Sequence, residues 1–386
     1  MDRNPFSDSE IAGRLAKVRA RLAQRELDAG IIAAPENVFY LTGLDHWGYF
    51  APHLLIITQH TKPILITREM ERVTIENRVR AAQFRGHLDS ETAADMAARA
   101  LADIGLTGKR IGMEYWTSGL SHGLALKLTS QVSATWSDIS GEVDRLRRVK
   151  SSEEQALMRN AARVSQAGLV AAIAAISDGA PEQEVAASCV AAMISAGGHA
   201  PGFGPFIRPA SRLGEEHTTW GDKTYRAQEP VFLELSGCVS RYHAPLGRLL
   251  HVGGASDEDA AIAEIAADAF DAVVQALRPG ITAREVYAAW QGVVDDAGLA
   301  HYRRHHCGYL VGIGQPPSWT GGNTVVGLRH DSDLRIEQGM SFHILSWLVN
   351  TGRGSDFVSD TVLLGDKGPE VLTRAQDRNA DRRAAS

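Results

Sequence analysis

Residues 152–176 are dominated by Ala, Leu, Met, Glu and Gln, strong helix formers, and the run stops only at Ser177, Asp178 and Gly179. One long helix is therefore predicted near the middle of the chain, and the texture differs on its two sides. Before it, short β-rich runs at 30–34, 53–58 and 63–67 alternate with turns and polar segments, which suits a mixed sheet with helices packed around it. Ile11, Leu15, Val18 and Leu22 recur at helical spacing among Arg and Lys, so residues 9–26 read as an amphipathic surface helix. Helical patterns over 90–104 and 120–130 flank a small strand near 110–113. After the long helix, a second helix over 181–193 leads to Gly197 and Gly198, and residues 206–252 turn strand-like. Two more helical stretches follow, 257–277 and 282–297, then β segments broken by Gly and Pro turns. With 386 residues and 44% hydrophobic content, the chain exceeds the usual single domain. Two domains are expected, 1–145 and 146–372, with 373–386 a polar tail expected to be disordered.

Charge and composition remove several function classes. The formal net charge is -6, and the basic residues are dispersed apart from local clusters at 145–148 and 303–304. Such a surface offers no general attraction for nucleic acid. Cys189, Cys238 and Cys307 are too few and too scattered for a disulfide framework, and no Cys-x-x-Cys pair is present, so a reducing cytoplasm fits. The first residues lack a basic region followed by a long apolar run, and nothing later offers the roughly 18 apolar residues of a membrane span. Gly312, Ile313 and Gly314 lack the full glycine pattern and β/α setting of a dinucleotide fingerprint, so no cofactor is implied.

The residues that invite chemistry gather in the second half. Glu234 lies in the otherwise apolar strand pattern 230–235, where a buried carboxylate without a partner is costly. That cost asks for a cationic ligand, a hydrogen-bond network or a nucleophilic role, and a salt bridge to Arg241 or Arg248 would answer it equally. His217, within 215–222, carries an imidazole, a group able to take and return a proton. His243 is near Glu234 in sequence and is either a second proton carrier or a satisfied core histidine. Tyr309 and Trp319 flank a turn containing Pro316 and Pro317 and offer aromatic surface to a compact cation. His305, His306 and Cys307 are adjacent in sequence, which does not make a metal site. Nothing near Cys307 points to an activated thiolate.

The order and spacing of residues 148–153, His217, 234–248, Gly308 and Tyr309, 339–342 and 360–364 resemble the creatinase, proline-peptidase and methionine-aminopeptidase superfamily. That resemblance implies a creatinase-like α/β N-terminal domain followed by an α+β "pita-bread" catalytic domain. Metal-dependent members place two Asp, one His and two Glu around a pair of divalent cations. Here the matching positions fall near Leu235 and on Pro245, Tyr309, Leu345 and Ser359. Hard divalent ions need carboxylate oxygens and imidazole nitrogens, which this set does not supply. A shift of one residue would recover one oxygen from Glu234, and His243 or His343 would add a nitrogen. The expectation is a metal-independent hydrolase.

Residues 234–248 and 308–319 resemble the ectoine hydrolases more than creatinase, which implies ring opening of a small cyclic amidine, with guanidine-like compounds next. In that reading His217, Glu234 and His243 are the catalytic candidates. Trp47, Tyr49, Arg208, Arg248, Tyr309, Trp319 and His343 are the substrate-binding candidates. Arg208 or Arg248 would hold a carboxylate, and Trp47 and Tyr49 would close over the solute from the partner subunit of a homodimer. A metal-dependent Xaa-Pro aminopeptidase, a creatine-like amidinohydrolase and a noncatalytic small-molecule binding protein are the alternatives.

Overall fold

The computed structural model describes residues 4–321 and 324–374. The chain divides after Arg147 into two compact units.

The first unit is a mixed six-stranded sheet in the order β4-β3-β2-β1-β5-β6, built from β1 (Ala29–Ile32), β2 (Leu54–Thr58), β3 (Ile64–Arg68), β4 (Gln83–His87), β5 (Arg110–Met113) and β6 (Thr135–Asp138). The first three strands pair antiparallel, whereas β4, β5 and β6 each join a parallel neighbour. Six helices accompany them: α1 (Asp8–Gln24), α2 (Pro35–Thr42), α3 (Arg72–Arg78), α4 (Ala93–Asp103), α5 (His122–Gln131) and α6 (Glu142–Arg147). Ile11, Leu15, Val18 and Leu22 of α1 are buried, as their spacing predicts, and the Ser7 hydroxyl caps its first turn by accepting the Glu10 N–H. Ile31, Ile56, Ile66 and Met113 pack against Ala97 and Leu101 of α4. Strands β4 and β6 have no apolar run to mark them in the sequence, since Gln83, Arg85 and Thr135 interrupt it.

The second unit begins with α7 (Ser152–Ala175), where Ser151 and Glu154 form a reciprocal capping box, and α8 (Glu182–Ser195). Strands β7 (Phe206–Pro209), β8 (Pro230–Val239) and β9 (Tyr242–His251) follow, then α9 (Asp257–Ala276) and α10 (Ala283–Asp296). Strands β10 (Gly308–Leu310), β11 (Ser341–Leu348), β12 (Asp356–Gly365) and β13 (Gly368–Val371) complete an antiparallel sheet. Its order is β10-β11-β12-β9-β8-β7, with β13 also on β12.

Strand alternation gives this sheet two different faces. Leu233, Leu235, Leu246 and Leu250 pack with Val164, Leu169 and Cys189 of α7 and α8. Further along the same face, Phe342, Ile344, Leu348 and Val362 meet Phe270, Val273 and Trp290 of α9 and α10. The close seat of α7 depends on Gly237, where a side-chain carbon would strike the Ala161 carbonyl. The Ser165 hydroxyl accepts the Gly237 N–H there at 2.7 Å. The residues in between, Glu234, Gly247, Leu345 and Ser359, point to the opposite face.

The tail expected from Thr373 starts later than its polarity suggests. Thr373 is buried, donates to Asp360 Oδ1 at 2.7 Å and accepts the Thr361 N–H at 2.9 Å. Residues 375–386 lie outside the described residues.

Candidate active site

Strand register lines up one transverse row on that opposite face. Leu345 pairs with Ser359, Ser359 with Gly247, Gly247 with Glu234, and Glu234 with Phe206. Directly opposite residues in antiparallel strands project to the same side, so these five positions share one surface. Gly247 lets its neighbours pack close: a side-chain carbon there would strike the Phe357 ring and the Ser359 hydroxyl. Leu235, beside the position expected for a ligand, belongs to the α7/α8 face instead. The residue that this strand presents to the site is Glu234.

Glu234 is half-buried and makes no side-chain hydrogen bond or ion pair with a described residue. Burial pushes its carboxyl up to about 8; the Arg208 charge opposes that shift and Glu216 adds to it. The salt bridge to Arg248 does not form. Arg248 donates to both Asp360 oxygens at 3.2 and 3.3 Å and to the carbonyls of Gly247 and Ser359, all within the sheet. It is a buried structural cation rather than a substrate ligand, and Asp360 is the partner that sequence alone did not assign to it.

Arg208 is also buried. Its guanidinium donates to the Thr218 carbonyl at 2.7 Å and the Arg212 carbonyl at 3.3 Å and lies 4.6 Å from the Phe232 ring centre. Desolvation lowers its pKa while Glu234 and Glu216 raise it. The loop that it pins carries His217, an exposed residue with φ of 57°, whose ring meets that of Phe206 at 5.8 Å. Phe206 faces Glu234 in the register, so His217 and Glu234 flank one aromatic ring.

His243 does not join them. Its Nδ1 lies 2.9 Å from the Arg241 carbonyl and its Nε2 accepts the Gly202 N–H at 2.8 Å. Burial pushes it down to about 4, so it is a neutral core histidine with both nitrogens committed and not a proton carrier.

Two of the matching positions, Tyr309 and Ser359, belong to one hydrogen-bonded chain. Trp319 Nε1 donates to the Tyr309 hydroxyl at 3.1 Å, that hydroxyl lies 2.8 Å from His343 Nδ1, and His343 Nε2 lies 2.7 Å from Ser359 Oγ. Burial, with His306 and Arg248 nearby, pushes His343 down to about 3. Tyr309 and Trp319 thus come together, and His343 spends both nitrogens on neighbours. Ser346 faces the other side, accepting the Trp290 N–H at 3.1 Å. Phe203, Phe206 and Trp319 form an aromatic wall, with ring centres 4.5 to 5.6 Å apart. Phe206, Phe232 and Glu216 carry no sequence signal of their own and are found only through register and proximity.

Trp47 and Tyr49 belong to the first unit. Trp47 is 66% exposed, and Tyr49 donates to the Leu44 carbonyl at 3.0 Å while packing 4.5 Å from the His53 ring.

The donor set does not fit a pair of divalent cations. Among the described residues no group of three or more His, Cys, Asp or Glu side chains is arranged to hold a metal ion. The matching positions fall near Leu235, where neighbouring Glu234 offers one carboxylate, and on Pro245, Tyr309, Leu345 and Ser359, which offer none. No helix among the described residues is long and apolar enough to cross a membrane.

Relatives share this architecture along its length. The ectoine hydrolase of Halomonas elongata is 25% identical over 95% of the chain and 96% of its own. The Xaa-Pro dipeptidase of Pyrococcus horikoshii is 24% identical over 94% and 97%. The solved Xaa-Pro dipeptidase of Bacillus anthracis superimposes with a TM-score of 0.83 at 20% identity, covering 95% and 99%. The creatinase/prolidase N-terminal domain matches residues 14–149. Residues 156–366 match metallopeptidase family M24. The chain belongs to the M24 family of pita-bread hydrolases, with a creatinase-type domain in front.

Proposed function

We propose that the protein hydrolyses a small non-peptide carbon–nitrogen compound, ectoine or a related cyclic amidine, with side chains rather than a metal pair carrying the chemistry. The observation behind this reading is Glu234: a carboxyl on the face turned away from α7 and α8, pushed up to about 8, with no bonded partner among the described residues. A carboxylate in that setting is stabilised by a cation, and an amidinium ring brings one. Binding it releases the Glu234 proton to solvent and leaves a carboxylate base beside an electrophilic carbon. Glu234 then takes a proton from water as the water oxygen adds to that carbon. The ring carbon–nitrogen bond breaks and His217 supplies the proton that the leaving nitrogen needs. The aromatic wall of Phe203, Phe206 and Trp319 holds the flat cation. The sequence relation to an ectoine hydrolase supports the substrate class.

Cleavage of Xaa-Pro dipeptides is the second reading, favoured by the family match and by the related dipeptidase. Mass spectrometry of products formed from ectoine and from a glycyl-proline control separates the two. N-acetylated diaminobutyrate from ectoine supports the first, and free glycine and proline with ectoine untouched supports the second.

A further inference from the structure

We infer that Arg304 is the anchor for a carboxylate on the substrate, an inference that rests on the small-molecule hydrolase reading above. The cations around the site differ in how they are committed. Arg248 is held by Asp360, Arg212 by Glu182, Arg303 by Asp295 and Arg329 by Asp331. Arg208 is buried and bonded to two carbonyls. Arg304 is half-buried, and its guanidinium makes no hydrogen bond or ion pair with a described residue. Its backbone, in contrast, is fixed, the carbonyl accepting the Tyr287 hydroxyl at 2.6 Å.

Packing places that guanidinium beside the site. It lies 5.0 Å from the centre of the Trp347 ring. Trp347 contacts Phe232 at 5.6 Å and Phe357 at 5.0 Å between ring centres. Phe232 and Phe357 stand two residues from Glu234 and Ser359 on the same strand faces, a step of about 7 Å along a strand. Arg304 is therefore one layer of side chains from the row that holds Glu234. Stacking on an indole leaves the edges of a planar guanidinium free, and those edges match the two oxygens of a carboxylate. The substrate class is thereby narrowed to a zwitterion, cationic at the carbon beside Glu234 and anionic at the end that reaches Arg304 past the Trp347 layer.

The test is calorimetric binding of ectoine, creatine and glycyl-L-proline, each beside its carboxamide, to the parent, Arg304→Ala, Arg304→Lys and Arg303→Ala. At least one carboxylate compound is expected to bind the parent ~10-fold or more tighter than its carboxamide, consistent with a charge-assisted pair. That gap collapses in Arg304→Ala, partly returns in Arg304→Lys and survives in Arg303→Ala. A gap undiminished in Arg304→Ala, no gap in the parent, or binding of none of the six overturns the inference. Product formation is the separate readout: a gap that depends on Arg304 with no turnover of ectoine keeps the anchor and removes the ectoine reading.

Discussion

His343 Nε2 stands 2.7 Å from Ser359 Oγ, joining two positions on adjacent strands at the place where the resemblance implies metal ligands. Because Tyr309 closes the other side of the imidazole, the pair is the end of a chain that starts at the Trp319 indole. Tyr309→Phe is predicted to leave Trp319 Nε1 and His343 Nδ1 without their partner and to cost about 1–3 kcal/mol of stability. Denaturant unfolding of parent and variant measures it, and equal midpoints with equal slopes would show that the chain contributes nothing.

Glu234 gives the protein a pH signature. Its folded pKa, about 8, lies above the ordinary value of 4.5, so the folded state holds this proton more tightly than the unfolded state. The contribution is fully present below 4.5 and is lost as pH rises toward 8. Thermal melts across that window are predicted to show a downward slope that Glu234→Gln flattens. An unchanged slope in the variant assigns the effect elsewhere.

The histidines are predicted to separate by role. His217→Ala and Glu234→Gln each lower turnover by roughly 100-fold or more, the scale of a positioned acid–base group. His243→Ala removes the partner of the Gly202 N–H and lowers stability by about 1–3 kcal/mol, with turnover of the folded fraction largely retained. Steady-state kinetics beside unfolding curves for the three variants decides this, and a collapse of turnover in folded His243→Ala would return that residue to the reaction.

Much of this architecture is legible in the residues themselves. Helical spacing finds α1, and the strong helix formers find α7, because apolar periodicity and propensity act locally. Glu234 stands out because a carboxylate inside an apolar run has to be explained. What sequence does not reveal is partnership across the sheet. Arg248 looks available until Asp360, on another strand, is seen to hold it. His243 has the pKa range of a proton carrier until Gly202 and the Arg241 carbonyl take both its nitrogens. Leu235, near which the resemblance places a ligand, faces α7 and α8 while its neighbour Glu234 faces the other way, because in a strand one residue changes the face.

We propose a homodimer in which the exposed loop of the first unit is covered by a second copy. Trp47 and Phe50 are 66% and 80% exposed, large apolar surfaces to leave in water. Sedimentation is predicted to give a dimer for the parent and a weaker one for Trp47→Ala with Phe50→Ala. A parent that stays monomeric throughout a concentration series defeats this proposal.

The central claim is that side chains, with Glu234 foremost, do the work of a metal pair. The most direct measurement is turnover of ectoine by protein whose metal content is quantified before and after chelation. Product formation is predicted to continue in the metal-stripped protein at an undiminished rate, with no large stimulation by manganese, cobalt or zinc. Activity that vanishes on chelation and returns as a pair of ions per chain is restored would contradict it.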